Sequence, residues 1–148
     1  MDTYRLHASL GYNLSLAARL QERRLDDALR SLGLTRTTWC VLLAVGVEGC
    51  AQPSDIASFI GIDRTATSRA LRRMETDGLL SREAGKGDRR TTRVTLTELG
   101  RRRIEQGVPF AVENNAVMQA KLSEEEHLQL RSLLEKLTAG ENAELRIF

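Results

Sequence analysis

The sequence predicts a mainly α-helical fold that carries one small β-hairpin. Apolar residues recur at helical spacing through most of the 148 residues, and one short central stretch instead alternates with strand period on either side of a glycine-flanked turn. Residues typical of helix caps and helix ends separate the helical segments. The length indicates a single domain, and no apolar run approaches the ~18 residues of a membrane-spanning helix.

The N-terminal half reads as three helices. The first covers Tyr4–Leu32, and Gly33 follows it at the position that commonly ends helices. Thr35 is a typical N-cap for the second helix, whose apolar residues lie on most sides, so that helix should be buried. Pro53 suits the first turn of a short third helix, which Gly61 ends.

A fourth helix and a hairpin follow. Asp63 caps the helix and Gly78 ends it. Two strands, Leu79–Ala84 and Thr91–Leu96, flank a turn at Gly85–Arg90. The apolar spacing of the helix predicts that its buried residues are Ala66, Ala70, Leu71 and Met74.

Two further helices complete the chain. Thr97 caps the fifth helix, which runs towards Lys121 and contains Pro109 as an expected kink. Ser123 and Glu126 have the spacing of a capping box, which opens a sixth helix rich in leucine.

Charge is distributed unevenly along the sequence. Residues 61–103 contain 12 Lys and Arg against 6 Asp and Glu, a net charge of +6, whereas the remainder carries −4. A basic middle between acidic ends favours a polyanionic partner for the middle alone. The alternative is an ordinary solvated surface.

The third and fourth helices have the order and short connection of a helix-turn-helix, and a basic hairpin follows them. Small hydroxyl residues near the start of the fourth helix would allow close approach to base edges, and its arginines could bind guanine or phosphate. Arginines at the hairpin tip could enter a narrow minor groove, with Asp88 orienting one of them. The candidate DNA-binding residues are Arg64, Thr65, Thr67, Ser68, Arg69, Arg72, Arg89, Arg90 and Ser54.

The segment DRRTTRVTLTELG resembles the wing of the MarR-type winged-helix transcription regulators. It fits the pattern D-x-R-x5-L-T-x-x-G at Asp88, Arg90, Leu96, Thr97 and Gly100. The segments RALRRMETDGLLSR, LTRTTWCVLLAV and LSEEEHLQLRSLLEKL are similar to other parts of the family. The resemblance extends over nearly the whole chain.

The resemblance implies a winged helix-turn-helix lobe at residues 35–97, with dimerisation helices at 1–32 and 98–148. It implies a homodimer that binds a palindromic operator in double-stranded DNA and acts as a ligand-responsive repressor, with a small aromatic or anionic effector. The exposed apolar side chains expected on the first helix and at Leu145, Ile147 and Phe148 also favour a dimer. The alternative is a winged-helix protein-interaction module without specific DNA binding.

Other functional classes find little support in the sequence. The two histidines have no companions at catalytic or metal-ligand spacing, and no nucleotide-binding or metalloprotease motif occurs, so we expect neither an enzyme nor a cofactor. The two cysteines, ten residues apart, suit a reduced cytoplasmic protein. Tyr12, Arg24 and Trp39 are candidate effector contacts because each combines an apolar body with a polar end, although packing is the simpler role for each.

Overall fold

The computed structural model describes residues 3–85 and 91–141. The described chain contains a winged helix-turn-helix flanked by long helices, as the sequence predicts. Its elements are α1 Leu10–Arg30, α2 Arg36–Gly46, α3 Pro53–Ile60, α4 Arg64–Thr76, β1 Leu80–Ala84, β2 Thr92–Leu96, α5 Glu98–Gln119 and α6 Glu124–Thr138.

The first helix is shorter than predicted. A single 3₁₀ turn occupies Leu6–Ala8, and α1 begins only at Leu10. Ser9 causes the break, because its hydroxyl accepts a hydrogen bond from the backbone N–H of Tyr12 and caps the helix. The helix ends at Arg30, two residues before the predicted end, and Gly33 follows shortly after it with a φ of 70°. One continuous helix from Tyr4 is therefore wrong.

The predicted caps of the other helices are confirmed. The hydroxyl of Thr35 accepts from the backbone of Thr38 at the start of α2. The carboxylate of Asp63 accepts from the N–H of Ala66 at 2.7 Å, and Ser123 forms the predicted capping box. These caps fix where the helices start because each satisfies an N–H group that the helix itself leaves unpaired.

The hairpin β1–β2 is antiparallel, with Leu80 opposite Leu96 and Arg82 opposite Val94. Its alternation is as predicted, because Val94 and Leu96 are buried whereas Arg93 and Thr95 are exposed. The N–H of Val94 also donates to the carbonyl of Ala51, at 2.8 Å, which ties β2 to the segment before α3. One face of the hairpin is thus part of the protein core.

The core lies beneath the helix-turn-helix. Leucines and other aliphatic side chains of α2, α4 and both strands meet there, joined by Leu29 from the end of α1. Trp39 is the aromatic member of this cluster. The core residues are Leu29, Leu34, Trp39, Val41, Leu42, Ala44, Ile56, Leu71, Met74, Leu79, Leu80, Val94 and Leu96.

Helix α5 approaches this core through small or polar residues spaced seven apart, Gly100, Gly107 and Asn114, which are all buried. A Cβ on Gly100 would overlap the carbonyl oxygen of Leu79. A Cβ on Gly107 would lie 2.5 Å from Cζ3 of Trp39. Side chains at these two positions would therefore push α5 away from the rest of the fold.

Helices α1 and α6 expose apolar residues that the core does not cover. No residue of α6 within the described chain is buried. Leu130, Leu133, Leu134 and Leu137 form one stripe along this helix, and each is at least 41% exposed. In α1, Leu10, Leu14, Leu16 and Leu20 are exposed as well. Across residues 3–85 and 91–141, no helix is long and apolar enough to cross a membrane.

Candidate nucleic-acid interface

The fourth helix, α4, turns one face to the core and another to solvent. Its buried face consists of Thr67, Leu71 and Met74, which follow one another at helical spacing, whereas Ala66 and Ala70, predicted to be buried, are only half-buried. Thr67 is only 1% exposed, and its hydroxyl donates to the carbonyl oxygen of Asp63 at 2.9 Å. The prediction that Thr67 contacts DNA is therefore wrong. Its spacing from Leu71 and Met74 was the sequence signal for burial.

The solvent face of α4 carries the remaining predicted side chains of this helix. Arg64, Thr65, Arg69 and Arg72 are exposed, and Ser68 is half-buried between them. The guanidinium of Arg72 donates to the hydroxyl of Ser68, at 3.3 Å. This hydrogen bond holds the arginine along the helix. The result is a continuous basic and hydroxyl-bearing face.

Arg73, on the next turn, belongs to a different environment. Its Nε lies 3.2 Å from Oδ2 of Asp77, in an exposed ion pair within the helix. Its charge is therefore partly compensated on the protein itself. Arg73 is outside the predicted set.

A cleft of about 250 Å³ lies between α3, the hairpin and α4, the second or recognition helix of the helix-turn-helix. Ser54 and Arg64 line it together with Thr91 and Thr92, where β2 begins. Ser54 is exposed in the first turn of α3, next to Pro53. Two predicted residues that are ten positions apart in sequence are thus brought together beside the hairpin.

The second half of the wing motif is structural. Leu96 is in the core, and the hydroxyl of Thr97 donates to the carbonyl of Gly78 at 2.6 Å. The same hydroxyl caps α5 by accepting from the N–H of Gly100. Gly100 lies against the carbonyl of Leu79. Leu96, Thr97 and Gly100 therefore hold the start of α5 against the segment that follows α4.

The first half of that motif lies outside the described residues. Asp88, Arg89 and Arg90, predicted to form and orient the hairpin tip, fall in the range 86–90. Strand β1 ends at Ala84, and strand β2 begins at Thr92.

An ion pair joins the recognition helix to the hairpin, and sequence reasoning missed it. The carboxylate of Glu75 accepts from the guanidinium of Arg82 at 2.6 and 3.0 Å, and from the backbone N–H of Arg82 at 3.1 Å. Hydrogen bonding from Arg82 lowers the pKa of Glu75 below its ordinary value, against the smaller opposing effect of burial. A spacing of seven residues across a turn gives no local sequence signal for this contact.

The effector candidates do not form one site. Arg24 lines a cavity of about 670 Å³ between α1, the end of α5 and α6. Its buried Nη1 has no hydrogen-bond partner among the described residues. Trp39 instead packs in the core against Gly107, and the ring of Tyr12 stacks edge-on against His7, 4.8 Å away. Neither ring lines the cavity of Arg24.

That cavity combines an apolar wall with a basic rim. Gln21 lies beside Arg24, and the amide oxygen of Gln21 accepts from the buried Asn114 at 3.3 Å. Arg23, Lys121 and Asp27 contribute charges. The apolar lining comes from Ala17, Leu20, Met118, Leu122 and Leu130.

The described chain contains two free cysteines and no cluster of metal-ligating side chains. Across residues 3–85 and 91–141, no cluster of His, Cys, Asp and Glu could hold a metal ion. Cys40 and Cys50 are both free thiols. Burial raises the pKa of the Cys40 thiol, despite the opposing charge of Arg36, so the less reactive thiol form is favoured.

Comparison with known proteins agrees with this geometry. Residues 32–91, which include the helix-turn-helix and the first strand of the hairpin, match a model of the MarR family. The chain is 31% identical to the M. tuberculosis transcriptional regulator MosR, solved in complex with DNA, with a TM-score of 0.74. That match covers 87% of this chain and 92% of MosR.

Two further structures share the fold. Bordetella bronchiseptica BpsR, whose DNA binding is regulated by 6-hydroxynicotinic acid, is 25% identical over 94% of this chain and 99% of its own, with a TM-score of 0.85. A variant of E. coli MarR complexed with operator DNA is 24% identical over 93% of this chain and 99% of its own, with a TM-score of 0.82. The chain belongs to the MarR family of DNA-binding transcription regulators.

Proposed function

We propose that this protein is a sequence-specific transcription regulator that binds a palindromic operator as a homodimer and responds to a small ligand. The observation that carries the proposal is the continuous exposed face of α4, which adjoins the cleft shared by Ser54, Arg64 and the start of β2. A helix-turn-helix uses such a face to enter the major groove of duplex DNA. Family membership favours this function over a protein-interaction module without specific DNA binding.

The side chains of this interface differ in which part of the DNA each of them can contact. Ser54 and Arg64, in the cleft at the start of two helices, suit the phosphate backbone, where helix N-termini also favour negative charge. Thr65, Ser68 and Arg69 lie farther along the exposed face and suit base edges. Arg72, held by Ser68, can contact either phosphate or guanine.

The wing contributes to binding in this proposal through Arg89 and Arg90, with Asp88 orienting Arg90. A minor groove that is narrow has an enhanced negative potential and attracts arginine. These three residues lie outside the described chain, and the support for their role is the sequence pattern and the position of the strands that flank them.

The homodimer follows from exposed apolar surface at both ends of the chain. The leucine stripe of α6 and the exposed leucines of α1 would otherwise form large apolar patches in water. We propose that residues 1–32 and 98–148 form the dimer interface and that residues 35–97 form the DNA-binding lobe. A two-fold symmetric dimer requires a two-fold symmetric operator.

The ligand response rests on the cavity around Arg24. Its basic rim and apolar wall suit a small aromatic anion, and an unpartnered buried guanidinium N–H group would be satisfied by such a ligand. The regulation of BpsR by 6-hydroxynicotinic acid gives a precedent within the fold. We infer that the chain works by binding rather than by catalysis, on DNA in the cytoplasm.

Two arginines one turn apart test the interface. We expect Arg69→Ala to cost about 1–3 kcal/mol in operator binding and to relax preference at one position of each half-site. Arg73→Ala is the matched control, because it removes the same charge from the same helix outside the proposed site. Titrations of both variants against the operator, and against operators with single-base changes, distinguish their effects. Equal losses on all sequences would show that Arg69 contacts phosphate only.

A further inference from the structure

Glu75 uses both of its carboxylate oxygens to hold the first strand of the wing. Oε1 accepts from the backbone N–H of Arg82, at 3.1 Å. Oε2 accepts from Nε and Nη2 of the same arginine, at 3.0 and 2.6 Å. The contact therefore fixes both the main chain of β1 and a side chain that extends from it, which a single ion pair at the surface would not do.

The position of Glu75 links this contact to the DNA-facing surface. Ser68, Arg72 and Glu75 follow one another along one side of α4 at helical spacing. The same side of the recognition helix that carries proposed DNA contacts therefore ends in the residue that holds the hairpin. Its partner Arg82 is the central residue of β1, opposite Val94.

Arg82 also lies where the hydrophobic anchoring of the wing ends. Leu80 is buried in the core, whereas beyond Arg82 both Glu83 and Ala84 are exposed. A two-stranded hairpin has little stability of its own, so the angle of its outer half depends on the contacts at its base. Among the described residues, the pairing of Glu75 with Arg82 is the outermost hydrogen-bonded contact between β1 and α4.

We propose that Glu75 is a positioning residue, which sets the angle between the wing and the recognition helix so that both reach DNA together. The inference rests on the proposed function and adds a residue that contacts no DNA itself. Gly85 is three residues beyond Arg82, or about 10 Å along the strand. A rotation of the strand by about 10° at Arg82 would move Gly85 by about 2 Å. A shift of that size is enough to break a hydrogen bond between the hairpin tip and DNA.

A purely structural role would give a different result. If Glu75 only stabilised the lobe, its loss would weaken DNA binding by the same factor whether or not the wing tip makes a contact. If it positions the wing, its loss should matter only while the tip contact exists. A double-mutant cycle measures this coupling directly.

The experiment compares operator binding by the parent, Glu75→Gln, Arg89→Ala and the double variant. We expect Glu75→Gln to weaken binding about 5-fold or more in the parent and less than about 2-fold in the Arg89→Ala background. Asp77→Asn is the matched control. It removes the same negative charge from the same end of α4, but from an ion pair within the helix. It should leave affinity unchanged or slightly higher, because negative charge near DNA opposes binding.

Amide hydrogen exchange in β1 and β2 of the free protein separates this proposal from the proposed function. We expect faster exchange in Glu75→Gln than in the parent or in Asp77→Asn. Should the parent bind no specific DNA although this difference is found, the proposed function fails while the coupling of wing and helix stands. Equal losses in both backgrounds, or no loss in the parent, would overturn the positioning role.

Discussion

The DNA-binding lobe and the two chain ends differ in how completely they bury their apolar residues. Around α2, α4 and the hairpin, aliphatic side chains and Trp39 form a closed core. In α6 no residue within the described chain is buried, and its leucine stripe faces solvent. The lobe can hold its shape within one chain, whereas the ends need another surface to cover them. This difference supports the proposed division into a DNA-binding lobe and helices that form the dimer interface.

Helix α5 belongs to both regions. Its first three turns approach the lobe so closely that Gly100 and Gly107 have no room for a side chain. Farther along, Val112 and Val117 are exposed. In the proposed dimer, α5 would therefore connect the subunit interface to the DNA-binding lobe within one helix.

The largest effect should come from a substitution that disrupts the leucine stripe of α6, which needs a partner subunit to cover it. Leu130→Glu places a charge in the leucine stripe of α6, and in a symmetric dimer the charge appears twice. Burial of one leucine contributes roughly 2 kcal/mol, so two copies should raise the dimer dissociation constant about 1,000-fold. Sedimentation at micromolar concentration should then detect monomers.

Ser132→Glu is the control for that prediction. It introduces the same charge in the same helix, on the side away from the stripe, and should leave the protein dimeric. A dimer that tolerates Leu130→Glu would mean that α6 does not form the interface.

The next effect concerns the region that folds on itself. Gly100→Ala should destabilise the protein by about 3 kcal/mol, because the added methyl group overlaps the carbonyl of Leu79 and α5 must shift. Urea unfolding measures the change. Gly11→Ala, on α1, meets only the hydroxyl of Ser9 at 3.8 Å and should stabilise by up to about 1 kcal/mol. Similar results for the two variants would contradict the close approach of α5.

A smaller effect is expected at the wing tip. Arg89→Ala should leave thermal stability nearly unchanged, because Asp88 is proposed to orient Arg90 instead and even an exposed ion pair contributes only about 0–1 kcal/mol. It should weaken operator binding and lower the slope of log K against log salt by about one unit for each lost contact in each subunit. The loss should be greater on A/T-rich flanking sequence. Unchanged affinity and slope would mean that the tip does not touch DNA.

The smallest effect is a pH dependence at the junction of wing and helix. The pKa of Glu75 is lowered in the folded protein, so its stabilising contribution is fully present above the ordinary pKa of glutamate, about 4.3. This contribution is lost as the pH falls through the lower pKa that Glu75 has in the folded protein. The stability difference between parent and Glu75→Gln should thus be constant from neutral pH down to about 5 and shrink below about 4. A difference that grows on acidification would contradict the ion pair.

The local parts of the fold could be predicted from sequence because they depend on neighbouring residues. The caps at Thr35, Asp63 and Ser123, and the alternation of Val94 and Leu96, each follow from residues within a few positions. The break at Ser9 was missed because the leucine pattern continues through it, although Ser9 is itself a typical N-cap.

Contacts between distant elements could not be predicted in the same way. The roles of Gly100 and Gly107 depend on which element packs against α5, and the contact of Glu75 with Arg82 depends on the turn between them. Of the candidate interface, the exposed face of α4 was predictable from its composition. The hydroxyl of Thr67 favours a polar contact, but the spacing of this residue from Leu71 places it on the buried face of α4.

Selection of bound sequences from a pool of random duplex DNA tests the central claim most directly. The full chain, as a dimer, should enrich an inverted repeat whose half-site centres lie about one helical turn apart, roughly 10 base pairs, or a multiple of it. Positions read by α4 should be the most constrained, with A/T-rich sequence favoured where the wing meets the minor groove. Enrichment of a single unsymmetrical site, or of no sequence at all, would contradict the account.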